Sequence, residues 1–287
     1  KKQIVKNPKP VILECMSFRM RGHEEASGTK YVPDELMEMW TKKDPVENYE
    51  SFLLKEKLIN EKEIEKIRKE IKTEINTAWA KADSEPRIAS TKEEEIADVY
   101  APYSPEIIPP SANKKDKRFV DAISDSLRDS MQKHDHLIIM GQDIADYGGV
   151  FKITDGFVDE FGKERVRNTP ICESAIISAA LGLSINGYKA VMEMQFADFV
   201  SCGMNQIIQN IAKSHYRWTP GINVTIRLPH GAGVGAGPFH SQSPESWFMP
   251  HAGLKILVPS TVEDAQNMLY SAILEPNPVL FFEHKRL

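Results

Sequence analysis

The pattern of hydrophobic and polar positions is most regular between residue 118 and the end of the chain. Short apolar runs typical of buried strands recur there, and segments with helical spacing separate most of them. The runs are LIIMG from 137, RVRN from 165, AVMEM from 190, INVTIRL from 222, KILVP from 255 and VLFFE from 279. A helical stripe precedes the first run, at Phe119, Ile123, Leu127 and Met131. Strands that alternate with helices predict an α/β fold with a parallel sheet and helices on both faces.

The first 83 residues carry two further patterns. Residues 11–18, VILECMSF, predict a buried strand, and nothing before them could pair with it, so we expect the end of a larger domain. Residues 45–83 predict a charged helical arm with a capping-box-like start at Asn60 and Glu63. Its apolar residues recur at helical spacing, at Ile64, Ile67, Ile71, Ile75, Ala78, Trp79 and Ala82. A surface helix with one buried stripe is the ordinary interpretation, and a partner-binding arm is the alternative.

The segment from 84 to 117 lacks any period and combines a charge run with several prolines. This composition predicts a linker, or an extended segment that wraps around its neighbour. We therefore divide the chain into residues 1–83 with the helical arm, a junction at 84–117, and the α/β domain at 118–287.

Composition argues against several classes of protein. The formal net charge of -5 gives no global basic field for nucleic acid, and no apolar run approaches the length of a membrane span. The basic start KKQIVKNPKP lacks the apolar core of a signal peptide. The cysteines, Cys15, Cys172 and Cys202, have neither metal-like nor redox-like spacing. We therefore expect reduced thiols and a cytoplasmic location.

A glycine-rich stretch, PHGAGVGAGPFHSQSPE, begins at residue 229. Its glycines stand at alternate positions, Gly231, Gly233, Gly235 and Gly237. The third glycine of the dinucleotide fingerprint is missing, and so is the Lys-Ser or Lys-Thr of an ATP-type loop. Apolar runs flank the stretch closely, which argues against a flexible linker. We expect a tight loop with positive backbone torsions that presents His240.

The candidates for chemistry follow strands of the predicted sheet. Glu173 comes after the run at 165 and begins an apolar helix, where a carboxylate would be poorly solvated. Gln195 and Phe199 follow the run at 190, and His240 follows the run at 222. Ligands bind beyond the carboxyl ends of parallel strands, so we expect these residues at one functional edge. Each also has an ordinary interpretation: a helix-start acid, a core aromatic, or a loop histidine bonded to backbone.

Other histidines compete for a functional role. His230 and His251 lie in or near the glycine-rich stretch, and spacing does not rank them. His23, in FRMRGHEEASG, follows the predicted amino-terminal strand, with Arg19 and Arg21 beside it. These groups suit an anionic ligand, and an exposed basic turn is equally compatible. The sequence contains no Gly-x-Ser-x-Gly motif and no constellation typical of a metal site.

Taken together, these stretches resemble the thiamine-diphosphate-dependent decarboxylase (first) component of 2-oxo acid dehydrogenase complexes. The stretches are GQDIADYGGVFKITDGFVDEFGKERVRNTPICESAI, EMQFADFV, PHGAGVGAGPFHSQSPESWF, GLKILVPSTVEDAQ and NPVLFFE. Residues 118–287 look like the pyrimidine-binding domain of the β subunit, and residues 10–83 like the end of the α subunit. The chain thus resembles an internal piece of an α–β fusion. QFADF and HSQSPE look closest to the branched-chain members.

On the β-subunit side, the resemblance implies roles for single residues. Glu173 matches the glutamate that bonds a ring nitrogen of the cofactor's aminopyrimidine. Ile171, Gln195 and Phe199 match positions that line the aminopyrimidine pocket, with Phe199 as the stacking ring. His240 matches a histidine near the cofactor that is implicated in passing the acyl group to lipoamide.

On the α-subunit side, His23 matches the active-site histidine and Arg19 a nearby arginine of its loop. Glu24 stands where animal enzymes carry a phosphorylatable serine, so kinase control at that position is not implied. The family's motif for diphosphate and magnesium does not occur in this sequence, so the resemblance implies magnesium ligands outside it.

The resemblance also extends to potassium, which some members hold through carbonyl groups of the β sheet. The candidates here are Val224, Ala272, Ile273 and Asn277. Glu275 replaces the usual aspartate, which weakens the match.

The reaction implied by the resemblance is decarboxylation of a 2-oxo acid, with transfer of the acyl group to a lipoyl domain of the acyltransferase component. A homo-oligomer of the fused chain is expected. One alternative is another thiamine-diphosphate enzyme, such as a pyruvate or acetoin dehydrogenase component or a transketolase. A second alternative is a non-catalytic assembly module whose charged arm binds a core.

Overall fold

The computed structural model describes residues 6–7, 11–24, 26, 28–105 and 115–287. The chain divides into two compact units, Lys1–Ile88 and Ala89–Leu287. The division falls inside the segment 84–117, for which the sequence predicts a junction. Of that segment, residues 106–114 lie outside the described residues.

The first unit is helical in its described part. Its helices are α1 (Asp34–Thr41), α2 (Pro45–Lys55) and α3 (Glu61–Ser84). The prediction of a buried strand at 11–18 is wrong, because these residues form no regular secondary structure and Ile12 is 97% exposed. A strand satisfies its backbone N–H and C=O groups only by pairing with another strand. The described residues of this unit include no strand that could serve as the partner.

The helical arm consists of α2 and α3, between which Lys57 adopts a left-handed φ of 56°. The capping box at the start of α3 is confirmed. Asn60 Oδ1 accepts from Glu63 N at 3.1 Å, and Asn60 N donates to Glu63 Oε2 at 2.9 Å. The expected burial of the apolar stripe is wrong, since exposure rises from 45% at Ile67 to 75% at Trp79. Within the described part of this unit, no apolar surface covers the stripe.

The second unit is built on a six-stranded sheet in the order β2-β1-β3-β4-β6-β5, with every pair parallel. The strands are β1 (Leu137–Gly141), β2 (Val166–Asn168), β3 (Lys189–Glu193), β4 (Val224–His230), β5 (Lys255–Leu257) and β6 (Val279–His284). The α-helices are α4 (Lys92–Ala97), α5 (Phe119–Lys133), α6 (Phe157–Phe161), α7 (Glu173–Ile185), α8 (Ala212–Trp218) and α9 (Val262–Leu274). Short 3₁₀ helices span Ala197–Gly203, Pro238–His240 and Glu245–Trp247, and a π-helix spans Gln206–Ile211. The predicted α/β fold is confirmed.

Alternate residues of the strands face two hydrophobic clusters on opposite faces of the sheet. In β6, Leu280 and Phe282 join the cluster that contains α7, while Val279 and Phe281 join the cluster that contains α5 and α9. The predicted stripe of α5 is buried in the second cluster, at Phe119, Ile123, Leu127 and Met131. Helices cover both faces, so the central strands are mostly apolar and appear as nearly continuous apolar runs in the sequence.

The segment just before residue 106 makes direct contacts within the second unit. Tyr216 Oη donates to Glu95 Oε2 at 2.8 Å, which holds α4. The side chain of Asn277 forms two hydrogen bonds with the backbone of Ala101, at 2.7 and 2.9 Å. This part of the predicted junction therefore packs along the α/β domain.

Candidate functional site

The carboxyl ends of the parallel strands define one edge of the sheet in the second unit. Glu173 is the first residue of α7, which follows β2. Gln195 and Phe199 follow β3, and His240 ends the 3₁₀ helix that follows β4. These four candidate residues therefore lie along this edge, where parallel α/β sheets bind their ligands.

Glu173 forms one end of the site, which we call the Glu173 end. Its half-buried carboxylate accepts a long hydrogen bond of 3.4 Å from Gln142 Nε2. Gln195 Nε2 donates to Gln142 O at 3.5 Å and to Asp143 Oδ2 at 3.3 Å, so these residues form one polar group. The side chain of Ile171, two residues before α7, is 83% exposed. The start of α7 favours the negative charge of the carboxylate.

An open groove of about 560 Å³ adjoins the Glu173 end. Its walls are formed by Cys172, Glu173, Ser174, Ala175, Ser178 and Cys202. Small side chains dominate, because the first turns of α7 carry serine and alanine on this side. The carboxylate of Glu173 is therefore accessible to a ligand in the groove.

His240 forms the other end, which we call the His240 end. Its imidazole packs edge-on against two phenylalanines, with ring centroids 4.7 Å from Phe196 and 5.5 Å from Phe199. The two phenylalanine rings also contact each other, with centroids 5.8 Å apart. Edge-to-face packing of this kind restricts the orientation of the imidazole.

The backbone around His240 is held by two charged side chains. Lys285 Nζ donates to the carbonyl oxygen of His240 at 2.7 Å. Asp198 Oδ1 accepts from the backbone N–H groups of Ser241 and Gln242, at 3.2 and 3.1 Å. Hydrogen bonds to charged groups are stronger than those between neutral groups. The backbone is therefore held immediately after the His240 Cα atom, at both polar groups of the peptide that joins His240 to Ser241.

The glycine-rich loop before His240 has the predicted backbone. The φ angles of Gly231, Gly233, Gly235 and Gly237 are 86°, 105°, 73° and 75°. A Cβ atom at Gly231 would lie 2.3 Å from His284 Nε2, whereas a Cβ atom at Gly235 or Gly237 would meet nothing within 4 Å. The expectation of positive torsions is confirmed, and the close approach at Gly231 is to a side chain of this same domain.

His230, a competing candidate, has a different environment. It is buried, and its Nδ1 contacts Ser243 Oγ at 3.2 Å and Glu245 Oε1 at 2.5 Å. Burial lowers the pKa of His230; the nearby Glu245 carboxylate opposes this shift without reversing it, and His284 adds to it. His230 therefore supports the base of the loop from inside, while the imidazole of His240 is only half-buried.

A buried ionic cluster lies beneath the edge, and none of its members was a candidate on sequence grounds. Arg227 of β4 is fully buried, with Nη1 2.5 Å from Glu193 Oε2 of β3. Its Nε and Nη2 donate to the two carboxylate oxygens of Glu283 of β6, at 2.6 and 2.7 Å. The one available signal was a charge inside each of the runs AVMEM, INVTIRL and VLFFE. The cluster ties together the carboxyl ends of three strands.

The pKa shifts in this cluster follow from one guanidinium facing two carboxylates. Burial alone would lower the pKa of Arg227, but Glu283 and Glu193 outweigh it and raise that pKa, so the guanidinium stays charged. Burial raises the pKa of Glu283 despite its attraction to Arg227. A single positive charge compensates two buried carboxylates incompletely.

His23 and Arg19 belong to the first unit. His23 is exposed, and Arg19 Nη2 donates to Tyr31 Oη at 3.4 Å. A Cβ atom at Gly22 would lie 2.3 Å from the carbonyl oxygen of Gly28, so the loop closes tightly at its base. The roles that the resemblance implies for His23 and Arg19 stay predictions.

The described residues contain no group of three or more His, Cys, Asp or Glu side chains that could hold a metal ion. Two of the four carbonyl groups considered for potassium, those of Ala272 and Ile273, accept hydrogen bonds from side chains. Ala272 O accepts from Thr225 Oγ1 at 3.1 Å, and Ile273 O accepts from Asn223 Nδ2 at 3.1 Å. Over the same described part of the chain, no helix has the length and apolar character needed to cross a membrane.

Two family models match this chain in succession. Residues 1–90 match the model described as dehydrogenase E1 component, and residues 116–287 match the transketolase pyrimidine binding domain. The resemblance of the two parts of the sequence to the first component of 2-oxo acid dehydrogenases is thereby confirmed.

Curated relatives cover the second part. The chain is 42% identical over 172 residues to the 2-oxoisovalerate dehydrogenase subunit beta of Bacillus subtilis, covering 58% of this chain and 52% of that protein. It is 41% identical over 172 residues to the pyruvate dehydrogenase E1 component subunit beta of the same organism, with the same shares of 58% and 52%. The mitochondrial 2-oxoisovalerate dehydrogenase subunit beta 2 of Arabidopsis thaliana is 38% identical over 180 residues, 62% of this chain and 50% of that protein.

The chain spans about half the length of the curated relatives it matches. Among solved structures, a split-gene transketolase described as an inactive beta4 tetramer aligns with a TM-score of 0.47 and 18% identity, covering 57% of this chain and 50% of that chain. The pyrimidine-binding model alone accounts for residues 116–287, which is more than half of the sequence. The chain therefore belongs to the family of transketolase-type pyrimidine-binding domains.

Proposed function

We propose that this chain is part of a thiamine-diphosphate-dependent 2-oxo acid dehydrogenase that catalyses oxidative decarboxylation. The observation that carries the proposal is Glu173: an accessible carboxylate at the start of a helix, on the ligand-binding edge of a pyrimidine-binding domain. The relatives at this domain are subunits of 2-oxoisovalerate and pyruvate dehydrogenases, which supports the reaction class.

The residues at the Glu173 end fit an aminopyrimidine ring. Glu173 offers an acceptor for a ring N–H, and the amide of Gln142 holds that carboxylate at 3.4 Å. The exposed side chain of Ile171 would gain burial against a bound ring, and Phe199 of the His240 end would supply an apolar ring for stacking. When bound, thiamine diphosphate supplies the electron sink for loss of carbon dioxide from a 2-oxo acid. Glu173 would hold the aminopyrimidine in the protonation state that this chemistry needs.

His240 is proposed to act in the second half of the reaction, the reductive acylation of a lipoyl domain. Its imidazole would hold or move a proton during transfer of the acyl group. The orientation of the ring against Phe196 and Phe199 favours a positioned group over a freely rotating one. The lipoyl acyltransferase component is the partner that this role requires.

A branched-chain 2-oxo acid is the substrate that we favour. The preference rests on QFADF and HSQSPE, the segments that carry Gln195, Phe199 and His240. Identities of 42% and 41% to the branched-chain and pyruvate relatives from one organism do not separate the two substrates. Turnover of 2-oxoisovalerate against pyruvate by the full-length enzyme decides between them.

The wider assembly is proposed on the same basis. Magnesium would be held by residues outside this sequence. The carbonyl groups of Ala272 and Ile273 accept hydrogen bonds from protein donors, which disfavours a potassium ion at these two positions. A homo-oligomer of the fused chain is proposed. Free thiols at Cys15, Cys172 and Cys202 support a reducing, cytoplasmic location.

The substitution Glu173→Gln in the full-length enzyme tests the proposed function. Decarboxylation measured with an artificial electron acceptor should fall by about 10²–10⁴-fold, the range typical of a positioned acid–base group. Glu164→Gln, at an exposed glutamate, serves as the matched control and should leave the rate unchanged. Near-normal turnover by Glu173→Gln would exclude the proposed role of this carboxylate.

A further inference from the structure

The carboxylate of Asp198 is buried at the His240 end, and one of its oxygen atoms has no hydrogen-bond partner among the described residues. Asp198 lies in the 3₁₀ helix Ala197–Gly203 and is only 7% exposed. Its Oδ1 accepts two backbone hydrogen bonds, from Ser241 and Gln242, while its Oδ2 is buried without a hydrogen-bond partner among the described residues. Leaving a buried polar atom unpaired costs about 1–3 kcal/mol. A carboxylate kept at that cost needs a reason beyond packing.

Lys285 is the second charged group at the His240 end. It follows β6, is half-buried, and donates from Nζ to the carbonyl oxygen of His240 at 2.7 Å. The same Nζ lies 5.2 Å from the centroid of the Phe196 ring. Burial lowers the pKa of Lys285, and the charge of Asp198 opposes this shift, so the two groups interact electrostatically.

These two side chains act on a segment that has little intrinsic rigidity. Four glycines with positive φ precede His240, and glycine restricts the backbone less than any other residue. Lys285 binds the carbonyl oxygen and Asp198 the N–H of the peptide group between His240 and Ser241, and Asp198 also binds the next N–H, that of Gln242. Since the side-chain direction is set by the backbone, fixing this peptide bond also fixes where the imidazole points.

We propose that Asp198 and Lys285 are positioning residues that hold the imidazole of His240 in the orientation its chemistry requires. The inference rests on the proposed function of His240 and extends it to two residues that do not touch the reacting atoms. Misplacement of a reacting group by about 1 Å can cost about 10²-fold in rate. Loss of the hydrogen bonds from either Asp198 or Lys285 should therefore slow the step that uses His240 more than the step that uses Glu173.

Amide hydrogen exchange tests the positioning without relying on catalysis. In the full-length protein, Asp198→Ala should make the amides of Ser241 and Gln242 exchange about 10-fold faster, since each loses a charged acceptor. Asp198→Asn keeps an oxygen at the Oδ1 position and should remain close to wild type. Peptides from β3 and β4 should be unaffected. Unchanged exchange in the loop, or faster exchange throughout the sheet, would overturn the proposal.

Separate assays of the two half-reactions test the functional consequence. Reductive acylation of a lipoyl domain should fall by about 10- to 100-fold in Asp198→Ala and Lys285→Met, and decarboxylation should fall much less. Asp198→Asn and Lys285→Arg should restore most of the acylation rate, because an acceptor and a donor are retained. Asp159→Ala and Lys163→Met, at exposed positions, are the controls.

The outcomes separate this inference from the proposed function. If His240→Ala lowers acylation selectively while Asp198→Ala and Lys285→Met lower both half-reactions equally, the positioning role is wrong. If His240→Ala itself spares acylation, the proposed function of His240 is wrong. The exchange measurement alone then decides whether Asp198 holds the backbone after His240.

Discussion

The Glu173 end and the His240 end of the site are constructed in different ways. Glu173 stands on a regular element, the first turn of α7, and its carboxylate has one long hydrogen bond of 3.4 Å. His240 stands at the end of an irregular loop and is held by side chains from distant parts of the chain, Asp198 and Lys285. One end is positioned by secondary structure and the other by a few long-range hydrogen bonds.

This difference teaches where each end is vulnerable. A helix start keeps its geometry as long as the helix packs against the sheet, so the Glu173 end tolerates changes in the surrounding side chains. The His240 end depends on individual charged groups, so single substitutions there should displace the imidazole without unfolding the domain. The Arg227 cluster joins β3, which precedes Gln195 of the Glu173 end, to β4, which precedes His240, so a change in that cluster should affect both ends.

The largest effect is therefore expected from a change in the buried Arg227 cluster. Arg227→Met leaves the buried carboxylates of Glu193 and Glu283 without their counter-charge, and should lower the free energy of unfolding by about 3–5 kcal/mol. Urea titration of the full-length protein, analysed at the unfolding transition of the second unit, measures this change in the free energy of unfolding.

The control for Arg227→Met removes all three charges together. The triple variant Glu193→Gln, Arg227→Met, Glu283→Gln should be more stable than Arg227→Met alone, because no uncompensated charge remains buried. A decrease of less than about 1 kcal/mol in the free energy of unfolding of the single variant would show that the cluster does not stabilise this edge of the sheet.

A smaller effect is expected from the glycine loop, and it affects the His240 end alone. Gly231→Ala combines a left-handed backbone with a clash at His284 Nε2, and should destabilise by about 2–4 kcal/mol. Gly235→Ala has the backbone strain without the clash and should cost about 1–2 kcal/mol. Thermal unfolding of both variants provides the comparison. Equal losses would mean that the contact with His284 relaxes freely.

The sequence allowed the fold and the Glu173 end to be predicted because both depend on local pattern. The apolar runs gave the positions of the six strands, and Glu173 follows β2 at the start of an apolar helix. Alternate glycines indicated the positive torsions of the loop. The failure at residues 11–18 has the same origin, because an apolar run shows only that a strand is compatible with the sequence. Pairing decides whether it forms.

The contacts that fix the His240 end could not be predicted from the sequence. Asp198 and Lys285 lie 43 and 45 positions from their partners, and nothing local connects them to the loop. The Arg227 cluster depends on strand register: Glu193 pairs directly with Arg227, and Glu283 lies opposite Pro229. The sequence shows that each of these apolar runs contains a charged residue, but it does not show which charged residues contact one another.

The smallest expected effect concerns His230, which supports the loop from inside. Burial lowers the pKa of His230 in the folded protein below the ordinary value of about 6.5. The unfolded chain therefore takes up the proton first, so the stability present above pH 6.5 is lost as the pH falls through the folded pKa. His230→Gln should reduce the loss of stability between about pH 7.5 and 5.5, measured by urea unfolding. An unchanged loss would mean that His230 does not couple folding to pH.

The most direct test of the comparison is to measure the two half-reactions separately in His240→Ala. If Glu173 serves decarboxylation and His240 serves acyl transfer, this variant of the full-length enzyme should keep much of its decarboxylation with an artificial electron acceptor. Reductive acylation of the lipoyl domain should fall by about 10²–10⁴-fold. The exposed His136, just before β1 at the opposite edge of the sheet, gives a better control than the buried His230, and His136→Ala should change neither rate. Equal losses in both half-reactions of His240→Ala, or no loss in either, would contradict a division of labour between the two ends.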